Sequence, residues 1–158
     1  MINLKGYSKD EIIGDQHDIV KEGYYQITAT WYEPSTFNDV TNHRIKWQIV
    51  GAPSELASER GKYLYSNWKE DAKKFIKQFL AAYVACGVYT MTQVDAWFEA
   101  GEMPNPDFEQ LVGKTCICRV SHFTSDEGKK FATLGTDYYP VSSDIAKDAG
   151  IAIEQDWC

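Results

Sequence analysis

The sequence predicts a mainly β domain with helices: five strands, with one long helix between the third and the fourth. Three observations predict it. Apolar side chains alternate with polar ones in five short stretches, the mark of half-buried strands. In one stretch near the middle, 69–86, the period changes to that of a helix. Gly, Pro, Asn and Asp punctuate the stretches as turn formers. The 158 residues fit one domain with a terminal extension better than two domains. With 44% hydrophobic residues, among them five Trp, ten Tyr and seven Phe, the chain can bury a real core and still leave rings at its surface.

Gly23 opens the first strand, 24–32, in which Tyr25, Ile27, Ala29 and Trp31 share one face and Tyr24, Gln26, Thr28 and Thr30 the other. Pro34, Ser35, Asn38 and Asp39 mark a loop. The second strand, 43–50, alternates Ile45, Trp47 and Ile49 with Arg44, Lys46 and Gln48, so its wet face carries two cations. Gly51 and Pro53 end it. The third, 61–68, sets Tyr63, Tyr65 and Asn67 against Lys62, Leu64, Ser66 and Trp68, with aromatics on both faces. The helix at 69–86 is amphipathic through Ala72, Phe75, Ile76, Phe79, Leu80, Tyr83 and Val84. Ser66 or Asn67 is placed to cap its start, and Gly87 stands where a C′ glycine belongs. A shorter helix is expected at 92–100, capped by Thr92, with Val94, Trp97 and Phe98 as its apolar side. Pro104 and Pro106 mark a connection. In the fourth strand, 113–122, Cys116, Cys118 and Val120 alternate with Thr115, Ile117 and Arg119; a turn at 125–128 leads to the fifth, 130–138. After Pro140 a weak helix or a loose tail is expected.

Five strands must hide their edges by closure or cover. A small barrel plugged at one end by a helix between strands three and four is the arrangement of the oligonucleotide/oligosaccharide-binding (OB) fold; a flat α+β sheet is the alternative. The expected organisation is a domain over 1–140, including an irregular N-terminal arm over 1–22, and an acidic tail over 141–158.

No stretch reaches the roughly 18–20 apolar residues that span a bilayer, and residues 1–10 lack the build of a signal peptide. A cytoplasmic location away from membranes is expected. Cys86, Cys116, Cys118 and Cys158 show no disulfide framework and agree with it. The net charge of −7 argues against phosphate binding, but the charge is unevenly spread. Residues 42–78 hold eight basic side chains against four acidic ones, whereas 92–110 hold five acids and no base.

No catalytic constellation is visible. His17, His43 and His122 are isolated, and there is no nucleophile elbow, phosphate loop or dinucleotide fingerprint. Cys116 and Cys118 share a strand face, but with His122 they make at most three of the four ligands a structural zinc needs. Two small buried residues explain them better. An enzyme, a metal and a cofactor are therefore not expected.

What remains is a set of aromatics mixed with cations. Unpaired nucleic acid is held by rings that stack on bases and by a positive groove that follows the phosphates. In an OB barrel the binding surface is the outside of strands two and three, between the loops joining strands one to two and four to five. Arg44 and Lys46 come from the second strand; Lys62, Tyr63, Tyr65 and Trp68 from the third; Arg119, Phe123, Lys129 and Lys130 from the fourth strand and the turn after it. Trp31 completes the set, while Trp47, between Ile45 and Ile49, belongs to the core. For each ring, core packing is the competing explanation.

The pieces Gly23-Tyr24-Tyr25-Gln26-Ile27, Trp47-Gln48-Ile49-Val50-Gly51-Ala52-Pro53, Gly61-Lys62-Tyr63-Leu64-Tyr65, Ala85-Cys86-Gly87-Val88, Leu111-Val112-Gly113-Lys114 and Asp137-Tyr138-Tyr139-Pro140 resemble, in order and spacing, a family of small phage proteins known as a domain of unknown function. The family is thought to include single-stranded DNA-binding proteins encoded near recombination genes. The resemblance spans residues 23–140 and implies an OB fold and sequence-tolerant binding of single-stranded DNA in an infected bacterial cell. The implied partners are a phage recombinase, annealing protein or polymerase. The end of the chain is similar to the acidic, aromatic-tipped tails with which single-strand binders recruit such partners, through Glu154, Asp156 and Trp157. Self-association is compatible with all of this. The alternative is an acidic protein–protein adaptor or inhibitor acting through the acid-rich stretch at 95–109.

Overall fold

The computed structural model describes residues 1–6, 19–151 and 153. Its longest feature grows from a two-residue turn. Asn38 and Asp39 have φ of 51° and 63°, the positive pair that a tight type I′ hairpin requires. Strands β1 (Gly23–Phe37) and β2 (Val40–Gly51) run from it as an antiparallel ribbon. Both strands are longer than the sequence pattern suggests, and the expected loop around Pro34 is strand. Beyond Thr28 the strand's other edge has no ladder partner among the described residues, so Pro34, which lacks an N–H, is tolerated there.

A 3-10 helix, Ser54–Glu59, leads to β3 (Tyr63–Lys69). Helix α1 spans Phe75–Ala85, and Gly87, with φ of 78°, follows its end as the sequence suggests. Its start is later than expected because Ser66 and Asn67 are held in β3, and the Glu70 N–H donates to the Thr41 carbonyl at 3.0 Å. Helix α2 (Met91–Ala100) is capped by Thr90 rather than Thr92. The Gln93 N–H donates to the Thr90 hydroxyl at 3.2 Å and the Thr90 N–H to Gln93 Oε1 at 2.9 Å, closing a capping box. A second 3-10 helix, Phe108–Leu111, precedes β4 (Thr115–Thr124) and β5 (Lys130–Tyr139), and a short α3 (Asp144–Asp148) follows.

The five strands form one antiparallel sheet in the order β3-β2-β1-β4-β5. No hydrogen-bonded ladder joins β3 to β5 among the described residues, so the sheet is open. Its two edges flank a cleft of about 930 Å³, bridged where the Ser66 and Tyr138 hydroxyls lie 3.3 Å apart. The concave face holds the main core, with Tyr25, Ile27, Ile45, Trp47, Leu64, Cys116, Cys118 and Val120 from the strands and Phe79, Ala82 and Tyr83 from α1. Phe108 is the hub of its aromatic part. The ring stacks on His43 at 4.2 Å and meets Tyr32, Trp68, Phe79 and Tyr83 at 5.6–5.8 Å. The polar tips around it are satisfied: the Tyr32 hydroxyl meets His43 Nδ1 at 2.7 Å, His43 Nε2 meets Glu70 at 2.8 Å, and the Tyr83 hydroxyl donates to the Asp107 carbonyl. Much of the high aromatic content is thus core.

On the convex face, α3 lays Ala146 and, just after it, Ile151 on Ile117, beside Tyr24 and Tyr139. The segment after Pro140 therefore contributes a packed helix. Among the described residues no helix is long and apolar enough to cross a membrane.

Candidate functional site

The site lies on the convex face of β1, β2 and β3, and a bulge completes it. Ala29 pairs with Trp47, but the next pair is Trp31 with Lys46, so Thr30 is an extra residue in β1. An extra residue reverses the alternation of a strand. Tyr25, Ile27 and Ala29 face the core as expected, Trp31 turns outward, and Tyr32 turns in to stack on His43 at 5.8 Å. Simple alternation puts Trp31 with Ala29 on the buried face; the bulge corrects this.

Over 43–49 the alternation of β2 is regular, burying Ile45, Trp47 and Ile49 and turning Arg44 and Lys46 out. In β3 it buries Leu64, Ser66 and Trp68 and exposes Tyr63, Tyr65 and Asn67. Lys46 is paired with Tyr65 in register and Arg44 with Asn67, yet each cation leans to the diagonal neighbour. The Arg44 guanidinium carbon lies 4.1 Å from the centroid of the Tyr65 ring and the Lys46 ammonium 4.2 Å from that of Tyr63. Such contacts are worth about 0.5–1 kcal/mol each at exposed positions, which favours both long side chains lying over the rings. Trp31, Tyr63 and Tyr65 are 39%, 45% and 41% exposed. With Thr30 and the two cations they line a shallow trough of about 390 Å³. Glu33 lies opposite Arg44 in register and offsets part of the charge at that end.

No family model matches the chain, and no curated protein matches it.

The trough offers flat apolar rings and fixed positive charge side by side. It can therefore take a ligand that is itself planar, apolar on its faces and anionic along one edge. None of its six lining residues is a carboxylate, thiol or imidazole that could act as base or nucleophile.

The other expected site residues are placed differently. Trp68 is a correction. It is 2% exposed, packed on Phe108 at 5.8 Å and edge-on to Tyr138 at 6.4 Å, so its ring belongs to the core side of β3 and not to the trough. Lys62 donates at 2.8 Å to the buried carboxylate of Glu59, which neutralises its charge locally. Burial works to raise the Glu59 carboxyl, but hydrogen bonds from the Lys62 ammonium and the Lys21 N–H outweigh it and hold the group below its ordinary value. Lys62 and Lys130 line a neighbouring depression of about 420 Å³ with Lys21 and His122. Phe123 is exposed on the β4–β5 hairpin and paired in register with Phe131. Lys129 is exposed in the turn of that hairpin, and Arg119 is exposed on β4, paired with Tyr24; neither lines the trough. Glu154, Asp156 and Trp157 lie outside the described residues. Cys116 and Cys118 are buried side by side in the core; burial pushes the Cys118 thiol up to about 12 and Cys116 well above its usual value, so both stay protonated.

Two further residues join the candidates. Thr30, set opposite Ala29 by alternation, lines the trough at the bulge. Phe37, beside the β1–β2 turn and largely exposed, projects an aromatic ring at the ribbon tip. The Asn38-Asp39 pair between strand-like flanks is the signal that could have placed it.

Proposed function

We propose that this protein binds single-stranded DNA with little sequence preference and without catalysis. The observation that carries the proposal is the pairing of two cations with two half-exposed tyrosine rings, beside Trp31, in one trough on β1–β3. Stacking of bases on such rings tolerates every base, and the cations meet the phosphates. Phe37 and Phe123 would extend the surface along the two flanking hairpins. The strand order β3-β2-β1-β4-β5 and the approach of Ser66 to Tyr138 support the finer fold proposal, an OB-type barrel that closes between β3 and β5. The resemblance to small phage proteins supports a role in phage replication or recombination, in the cytoplasm of an infected host, beside a recombinase, annealing protein or polymerase.

Titration with oligothymidine, followed by tryptophan fluorescence, tests the proposal. Quenching that saturates at low salt and weakens as salt is added is expected. No binding at low salt overturns it.

A further inference from the structure

Helices α1 and α2 bury one side of their surfaces and leave a second apolar side uncovered. In α1 the core takes Phe79, Ala82, Tyr83 and Ala85. Ile76, Leu80 and Val84, a stripe at i, i+4 and i+8, line a groove beside it, with Leu80 also touching the core. In α2 only Val94 is fully buried. The two helices form an antiparallel hairpin: Val84 and Met91 line one shared groove, and Ile76 and Phe98 line it as well. This groove, of about 440 Å³, continues through Ile76, Leu80 and Phe98 into a second of about 250 Å³ that reaches Trp97 and Met103. Ile76, Met91 and Phe98 are each more than half exposed. Large apolar side chains gathered this way mark a contact surface.

Charge tells what covers it. On the α1 side the rim is basic: Lys77 lines the groove, and exposed Lys73 and Lys74 precede the helix. On the α2 side it is acidic. Asp95 and Glu99 are exposed, one position further round the helix than Val94 and Phe98, and Glu102 lines the second groove. An apolar strip with a positive bank and a negative bank is its own complement. A two-fold axis running along the hairpin lays apolar strip on apolar strip and sets each positive bank against the other copy's negative bank. A foreign partner would need the same pair of banks in mirrored order; a second copy has them already. We infer that the α1–α2 face is an isologous homodimer interface. It lies apart from the trough on β1–β3, shares no residue with it, and does not depend on its role.

Sedimentation analysis of the full chain across a range of concentrations tests this. A reversible monomer–dimer equilibrium is expected. Phe98→Glu should weaken it at least about tenfold while leaving the circular dichroism spectrum unchanged. Lys77→Glu alone and Asp95→Lys/Glu99→Lys alone should each do the same, because each places like charges on facing banks twice. Mixing these two variants should restore a dimer, since the heterodimer carries opposite charges at both contacts. That rescue is particular to two-fold pairing and also shows that both variants are folded. A chain that stays monomeric throughout overturns the inference, as does a dimer indifferent to Phe98→Glu or charge variants that do not rescue each other.

Discussion

Tyr63 and Trp68 share a strand and are both large aromatics, yet opposite forces hold them. Tyr63 sits outside under a lysine, so replacing it should leave stability nearly unchanged, as at most surface positions. Trp68 fills the space between Phe108 and Tyr138. Trp68→Ala should lower the unfolding free energy by about 3–5 kcal/mol in urea titration. Tyr63→Ala or Tyr65→Ala should instead weaken oligothymidine binding by about 1–3 kcal/mol at unaltered urea midpoint; a loss of stability with full affinity would refute their assignment. The alternation of β3 was enough to put these residues on opposite faces. It could not say which face was wet, because that depends on Phe108, far along the chain, which packs on one side only. Glu59 gives a second prediction at this scale. Its carboxyl is lowered in the folded state, so the stability it adds is complete above its ordinary value of 4.5 and is lost as pH falls through the lower folded value. Glu59→Gln should therefore be less stable than the parent at neutral pH, and the gap should narrow in acid. A pH series of thermal midpoints measures this; a gap that widens below pH 4.5 contradicts it.

Single residues decide whole elements in two places. Thr90 and Gln93 close the capping box of α2, a pattern written in the sequence as Thr-x-x-Gln two residues ahead of the expected cap Thr92. The bulge at Thr30 leaves no comparable signature. Its sequence, Ala29-Thr30-Trp31-Tyr32, reads as uninterrupted strand, and only the need to place Tyr32 on His43 inside and Trp31 outside shows the break. Deleting Thr30 removes the extra residue, so Trp31 should follow Ala29 directly in plain alternation, still outward, with Tyr32 still on His43. Acrylamide should then quench the same tryptophans as in the parent, and oligothymidine binding should be largely kept. Loss of Trp31 quenching in this variant would mean that Thr30 is not the extra residue.

At the scale of the whole molecule, strand order and charge were legible to different depths. The five strands and the helix between the third and fourth follow from local periodicity, which the sequence carries directly. Whether β3 meets β5 depends on the coiling of the complete sheet, a property of no single segment, and the cleft between them is what periodicity could not foretell. Charge raises a similar question. A protein of net charge −7 repels DNA at long range, but across more than a Debye length, about 8 Å at physiological ionic strength, that repulsion is largely screened. Affinity then rests on cations in direct contact with phosphates. For single strands each such contact contributes about 0.7 to the slope of log K against log salt. If Arg44 and Lys46 each meet one phosphate, Arg44→Ala/Lys46→Ala should flatten that slope by about 1.4. Lys147→Ala, which removes a charge on α3 on the strand-β4 side of the sheet, should shift affinity slightly at low salt and leave the slope alone. Titrations of the parent and both variants across a salt series separate the two effects: equal slopes in all three would place the phosphate contacts somewhere other than the trough.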